Sequence, residues 1–100
     1  MVKITVAEAR KVLSEVLSGF IVENAYIMKK TDEELLKTNL SREFEFDSLD
    51  FEEMLVTLYN RYGIMVDAHN LLVKYAFYDE PTVENFIEMV NDNGHEVYAN

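Results

Sequence analysis

The 100-residue chain contains no cysteine. That excludes a disulfide framework, a thiolate metal site and a cysteine nucleophile, and it is compatible with a reducing cytoplasm, the expected location. Long apolar runs are also missing. No segment could cross a bilayer, and Met1–Val6 turns polar too soon for a signal-peptide core, so a soluble protein without membrane insertion is expected. Basic residues are few, nine against 19 acidic ones, for a net charge of -10. A field of that sign repels nucleic acid and anionic lipid and attracts basic patches on other proteins. The two histidines, His69 and His95, lie far apart with no second ligand at metal spacing, which points to surface roles and no metal site. Asp92-Asn93-Gly94 holds only part of a calcium loop and reads as a helix stop. No nucleophile–base pair is recognisable, so an enzyme is not expected. No Asn-Gly turn lies between alternating runs, and strand signals are nearly absent. Without repeats, low-complexity tracts or a boundary, residues 1–100 read as one domain, with a helical body over about 5–92 and a frayed tail over 93–100.

What is present is helical periodicity. Thr5-Val6-Ala7-Glu8 is a capping box, and Ala9, Val12, Leu13, Val16, Leu17 and Phe20 recur behind it as one apolar stripe over roughly four turns. Gly19 is placed to supply a left-handed cap. Residues 20–46 read as a long, irregular connection whose Ile21-Val22 and Tyr26-Ile27-Met28 patches pack on the core. Thr31-Asp32-Glu33-Glu34 marks a short helix within it. Ser48–Tyr62 forms the next long helix, with Phe51, Met54, Leu55, Leu58 and Tyr62 inward, Thr57 outward and Gly63 as its stop. After Ile64-Met65-Val66, Asp67 can cap a helix that turns Leu71, Leu72, Tyr75, Ala76 and Phe77 inward. Pro81 breaks it, and Thr82 caps a last helix with Val83, Phe86, Ile87 and Val90 buried. The fold class is all-α: a small four-helix bundle of three main helices plus one or two short ones, with a long loop before the second main helix.

The start of that second helix organises the chain. In Phe44-Glu45-Phe46-Asp47-Ser48-Leu49-Asp50-Phe51, Asp47 or Ser48 can cap the free N–H groups, and Asp50, Glu52 and Glu53 meet the favourable end of the dipole. Ser48 is therefore an exposed serine at an acidic helix start, either a cap or a point of covalent attachment.

This segment resembles the acyl carrier proteins, whose attachment site is usually written Gly-x-Asp-Ser-Leu. Asp47-Ser48-Leu49-Asp50 matches it. Met54, Leu58 and Tyr62 fall on the family's core positions, Glu53 on an acidic docking position, Ile64–Asp67 on its following link, and Pro81-Thr82-Val83 on the opening of its last helix. The resemblance implies that Ser48 carries 4′-phosphopantetheine, installed from coenzyme A by a phosphopantetheinyl transferase. Asp47 and Leu49 would flank the arm, with Leu49 packed down so that Ser48 points out. An acyl or aminoacyl group would ride on the arm as a thioester between enzymes of a specialised fatty-acid, polyketide or related pathway. Asp50 and Glu53 would meet basic docking patches on those enzymes, and the carrier would act as a monomer. Two departures stand out: Glu45 replaces the usual glycine and Phe46 is bulky. They leave open an alternative, a carrier-like acidic helical module that binds proteins without a cofactor.

Overall fold

Local capping signals set most of the helix starts. The computed structural model describes residues 2–67 and 71–97. Thr5 caps α1 (Val6–Val16) in a complete capping box with Glu8, and Thr31 does the same with Glu34 for α3 (Asp32–Leu36). Asn39 caps α4 (Leu40–Phe44), Asp47 caps α5 (Ser48–Tyr62), and Thr82 caps α7 (Val83–Asn93) through the Asn85 N–H. Each cap satisfies donors that the first helical turn leaves orphaned. Two further helices, α2 (Ile21–Lys29) and α6 (Leu71–Asp79), complete the all-α bundle.

The apolar faces of these helices meet in one core. Val12, Leu13, Ile27, Leu35, Leu40, Met54, Leu58, Phe86 and Val90 are all but sealed from solvent. Val2 and Ile4, ahead of α1, are buried as well, and the Ile4 N–H donates to Asn91 Oδ1 at 2.7 Å. The start of α7 is tied to the start of α4. Leu40 N–H donates to Pro81 O at 2.9 Å, and Val83 N–H donates to Thr38 O at 3.1 Å.

Several expectations are corrected. The connection over residues 20–46 is not a long loop: the expected short helix forms as α3, flanked by the unexpected α2 and α4. Phe20 starts α2 without a side-chain cap, so no local signal announces it. Its far end is held instead by Arg10, whose Nη1 donates to Ile27 O at 2.7 Å while Nη2 pairs with Asp32 at 2.8 Å. Only Ile27 of the two apolar patches is buried; Ile21, Val22, Tyr26 and Met28 face solvent. Helix α1 ends after three turns at Leu17, and Gly19 does not take a left-handed backbone. The tail is partly paired: β2 (Gly94–Glu96) runs antiparallel to β1 (Ile64–Val66), with Met65 opposite His95. The two strands are too short and too distant in sequence for local patterns to announce them. Thr57 is buried, whereas Tyr75 and Ala76 turn outward on α6 and Phe77 turns in. The expectations for His69 and for the Leu71 and Leu72 side chains lie outside the described residues.

Candidate functional site

The chain reaches α5 through a two-residue corner. Glu45 ends α4 in the left-handed region, at φ 56° and ψ 33°, with its N–H directed to the Leu40 and Ser41 carbonyls. Phe46 N–H then donates to Leu40 O at 3.2 Å, and Ser41 Oγ donates to Phe46 O at 3.1 Å. The Phe46 ring is buried between Phe44 and Phe51, with centroids 6.3 and 6.1 Å away. This anchor fixes where the next residues emerge. Bulky Phe46 is therefore a structural plug, and the corner needs the positive φ that glycine adopts without strain.

Asp47 comes out exposed and caps α5. Its Oδ1 accepts from Leu49 N–H at 3.0 Å and Asp50 N–H at 3.2 Å, and Asp50 Oδ2 accepts in return from Asp47 N–H at 3.0 Å. Ser48, the first helical residue, is exposed and takes no part in the cap. The choice between Asp47 and Ser48 as capping residue is thus settled for Asp47.

Leu49 does not pack down; it is 76% exposed. The reason is angular. At 3.6 residues per turn, each residue advances about 100° around the axis. Leu49 therefore lies roughly opposite Phe51 and Leu58, which face the core. The same spacing sets Val56 and Tyr59 near Leu49 on the outward side, and both are exposed, as is Met65 on β1. Helical spacing alone could have revealed this stripe, because Leu49 and Val56 are two turns apart.

The acidic side chains of α5 have different fates. One Asp50 oxygen is committed to the cap, and Asp50 is half-buried. Glu52 is held by Lys74 of α6, whose Nζ donates to Glu52 Oε1. That hydrogen bond raises the Lys74 pKa above its ordinary value. Nearby, burial pushes the Tyr78 hydroxyl pKa up, and the Glu52 charge adds to the shift. The Tyr78 ring stacks on Phe51 at 5.3 Å and the Phe77 ring meets Phe51 edge-on at 5.0 Å, so α6 is fastened to α5 by the Lys74–Glu52 ion pair and by ring contacts on both Phe77 and Tyr78. Glu53 is exposed on the outward face and joins none of the ion pairs among the described residues. Arg61, at the far end of α5, pairs with Glu15 at 2.9 Å.

Among the described residues no three His, Asp or Glu side chains converge in a way that could hold a metal ion, and no helix is long and apolar enough to cross a membrane. No family model, no curated protein and no solved structure matches the chain.

Proposed function

We propose that the chain is an acyl-carrier-like protein whose Ser48 Oγ bears 4′-phosphopantetheine. The observation that carries this reading is the free Ser48 hydroxyl at the first position of α5, released from capping by Asp47. The residues present fit the group. An exposed hydroxyl is open to a large modifying enzyme, and a helix N-terminus suits the phosphodiester anion that results. In the attachment step the Ser48 oxygen bonds to phosphorus and the pyrophosphate bond of coenzyme A breaks. Adenosine bisphosphate leaves, and the transferase takes the serine proton. The bound arm would supply a terminal thiol that holds an acyl or aminoacyl group as a thioester. The carrier adds no catalytic residue. Its own contribution is presentation and recognition: Glu53 and the Leu49–Val56–Tyr59 stripe offer partner enzymes an apolar face with negative charge, suited to weak, charge-steered docking. The reading implies a cytoplasmic, monomeric shuttle within a specialised acyl-transfer pathway.

Intact-mass measurement after incubation with coenzyme A and a broad-specificity phosphopantetheinyl transferase tests it. A gain of one phosphopantetheine on the wild type and none on Ser48→Ala is expected. An unchanged wild type beside a modified control carrier overturns it.

A second reading draws on the stripe itself. Exposed Leu49, Val56, Tyr59 and Met65 would suit a protein-binding module with no arm at all. Recovery from the native host of a wholly unmodified pool, bound to a basic partner, would favour that reading.

A further inference from the structure

A cleft of about 290 Å³ lies where the end of α1, the start of α2, the α4–α5 corner and the first turn of α5 meet. Its buried lining residues include Leu17 and Phe46. Phe20, 59% exposed, and half-buried Phe44 also line it. Three carboxylates, Glu23, Glu45 and Asp50, also line it, and among the described residues no lysine, arginine or histidine does so. None of the three joins an ion pair among the described residues. The opening lies at the same end of α5 as Ser48, since Asp50 is two positions further along the helix.

Aromatic side chains beside carboxylates that no cation neutralises match one ligand chemistry. An organic ammonium group gains from the negative face of a ring and forms charge-assisted hydrogen bonds with carboxylate. A plain hydrocarbon would cover the Glu23 and Glu45 carboxylates without giving them a partner, which is unfavourable. A metal ion needs ligands converging on one point, and these do not. The cleft is open to solvent, and an ion pair formed there is screened, so affinity for a free amine is weak. A tether changes that, because attachment at the same end of α5 converts binding to an intramolecular event at high effective concentration, provided the flexible arm reaches around the helix start from Ser48 to the Asp50 side.

We infer that this cleft receives the ammonium group of an amine-bearing cargo, so that the protein carries an aminoacyl or comparable aminoalkyl group in preference to a plain fatty acyl chain. The inference rests on the carrier reading for the tether, but the cleft itself can be probed without it.

The test uses the full chain labelled for amide NMR. Two amide-linked coenzyme A analogues of equal shape, ending in γ-aminobutyryl and in pentanoyl, are loaded on Ser48, with loading verified by intact mass. The γ-aminobutyryl form is expected to shift the Phe20, Glu23, Phe44 and Glu45 resonances relative to the pentanoyl form. The difference should fall by about threefold or more in a Glu23→Gln/Glu45→Gln variant, and in about 1 M salt, where the screening length is about 3 Å. In parallel, n-butylammonium chloride is titrated into Ser48→Ala, with n-butanol as the uncharged control. Saturable shifts at the same residues with the amine alone support the cleft, and they do so even if mass shows that Ser48 never loads, in which case only the carrier reading fails. Equal shifts from charged and uncharged probes, or none from the amine in either arm, overturn the cleft while leaving a verified attachment at Ser48 intact.

Discussion

Replacing Glu45 with glycine should stabilise the protein, even though it deletes a side chain. Glu45 is the sole non-glycine residue with positive φ among the described residues, at 56°. A residue with a β-carbon in that region carries about 1–2 kcal/mol of strain. Glycine carries almost none, but it gives the unfolded chain more freedom, which returns about 0.4–1 kcal/mol. The difference leaves a net gain of roughly 0.5–1 kcal/mol. The side chain itself is exposed and makes no ion pair among the described residues, so little is lost with it, and one negative charge fewer slightly relieves a chain at -10. In a domain of this size about 1 kcal/mol corresponds to a Tm shift of roughly 4–5 °C.

The assay is urea unfolding of wild type, Glu45→Gly, Glu45→Asn and Glu45→Ala, followed by circular dichroism with thermal melts alongside. The expected order is Gly most stable, Asn next, and Ala close to wild type, because alanine keeps the β-carbon that causes the strain. Stability of Glu45→Ala equal to or above that of Glu45→Gly would refute the reasoning, since it would locate any gain in charge removal and not in the backbone.

Gly94→Ala should destabilise by about 1–3 kcal/mol, because an added Cβ would stand 2.5 Å from the Val90 carbonyl oxygen and 3.2 Å from Ile64 Cγ2, and the backbone atom cannot swing aside; Gly19→Ala, with nothing within 4 Å, is the control, and equal urea midpoints for the two would contradict the packing. Asp47→Ala should cost about 0.5–2 kcal/mol through loss of the α5 cap, whereas Ser48→Ala should stay within about 0.5 kcal/mol of wild type; the reverse ranking in denaturant melts would make Ser48 the cap. The Lys74 pKa is raised in the folded protein by its hydrogen bond to Glu52, so the pair's contribution is complete below the unfolded lysine value of about 10.4 and is lost as pH rises through the folded value. Partial exposure limits it to about 0.2–1 kcal/mol, and Glu52→Gln should flatten that alkaline slope in urea midpoints measured across it. The Tyr62 hydroxyl is buried with no hydrogen-bond partner among the described residues, so Tyr62→Phe should leave stability unchanged or raise it by about 1 kcal/mol; a clear loss in the same assay would reveal a partner.

The fold was legible where stabilising contacts are local. The Thr5–Glu8 and Thr31–Glu34 boxes, the cap at Thr82 and the stop at Gly63 each involve residues within a few positions, and all four form as their patterns indicate. It was illegible where the partner is remote. Helix α2 owes its terminal contact to Arg10, 17 residues before Ile27. Strand β2 exists only because β1 is there to pair with it, and Val97 N–H extends the ladder to Gly63 O at 2.7 Å. Ile21, Val22 and Met28 read as core by composition, yet one short helix can bury only one side, and Ile27 occupies it.

The candidate site divides the same way. The Asp-Ser-Leu-Asp run is a local pattern, and its helix start, its exposed serine and its acidic first turn follow from sequence alone. Which carboxylates remain available to a partner does not. Of the acidic residues from Asp47 to Glu53, Asp47 and Asp50 bind backbone N–H groups and Glu52 binds Lys74, so Glu53 is the one that combines full exposure with no such engagement. Residues 47–100 nonetheless hold 11 of the 19 acidic residues and only two of the nine basic ones. Long-range attraction of a cationic partner toward this half is therefore a property of the summed field, while orientation at contact must come from the few groups on the outward face of α5: Glu53 and the apolar side chains of Leu49, Val56 and Tyr59. Salt should accordingly slow the approach of such a partner far more than it hastens its departure, because screening acts on the field and leaves the apolar contacts in place.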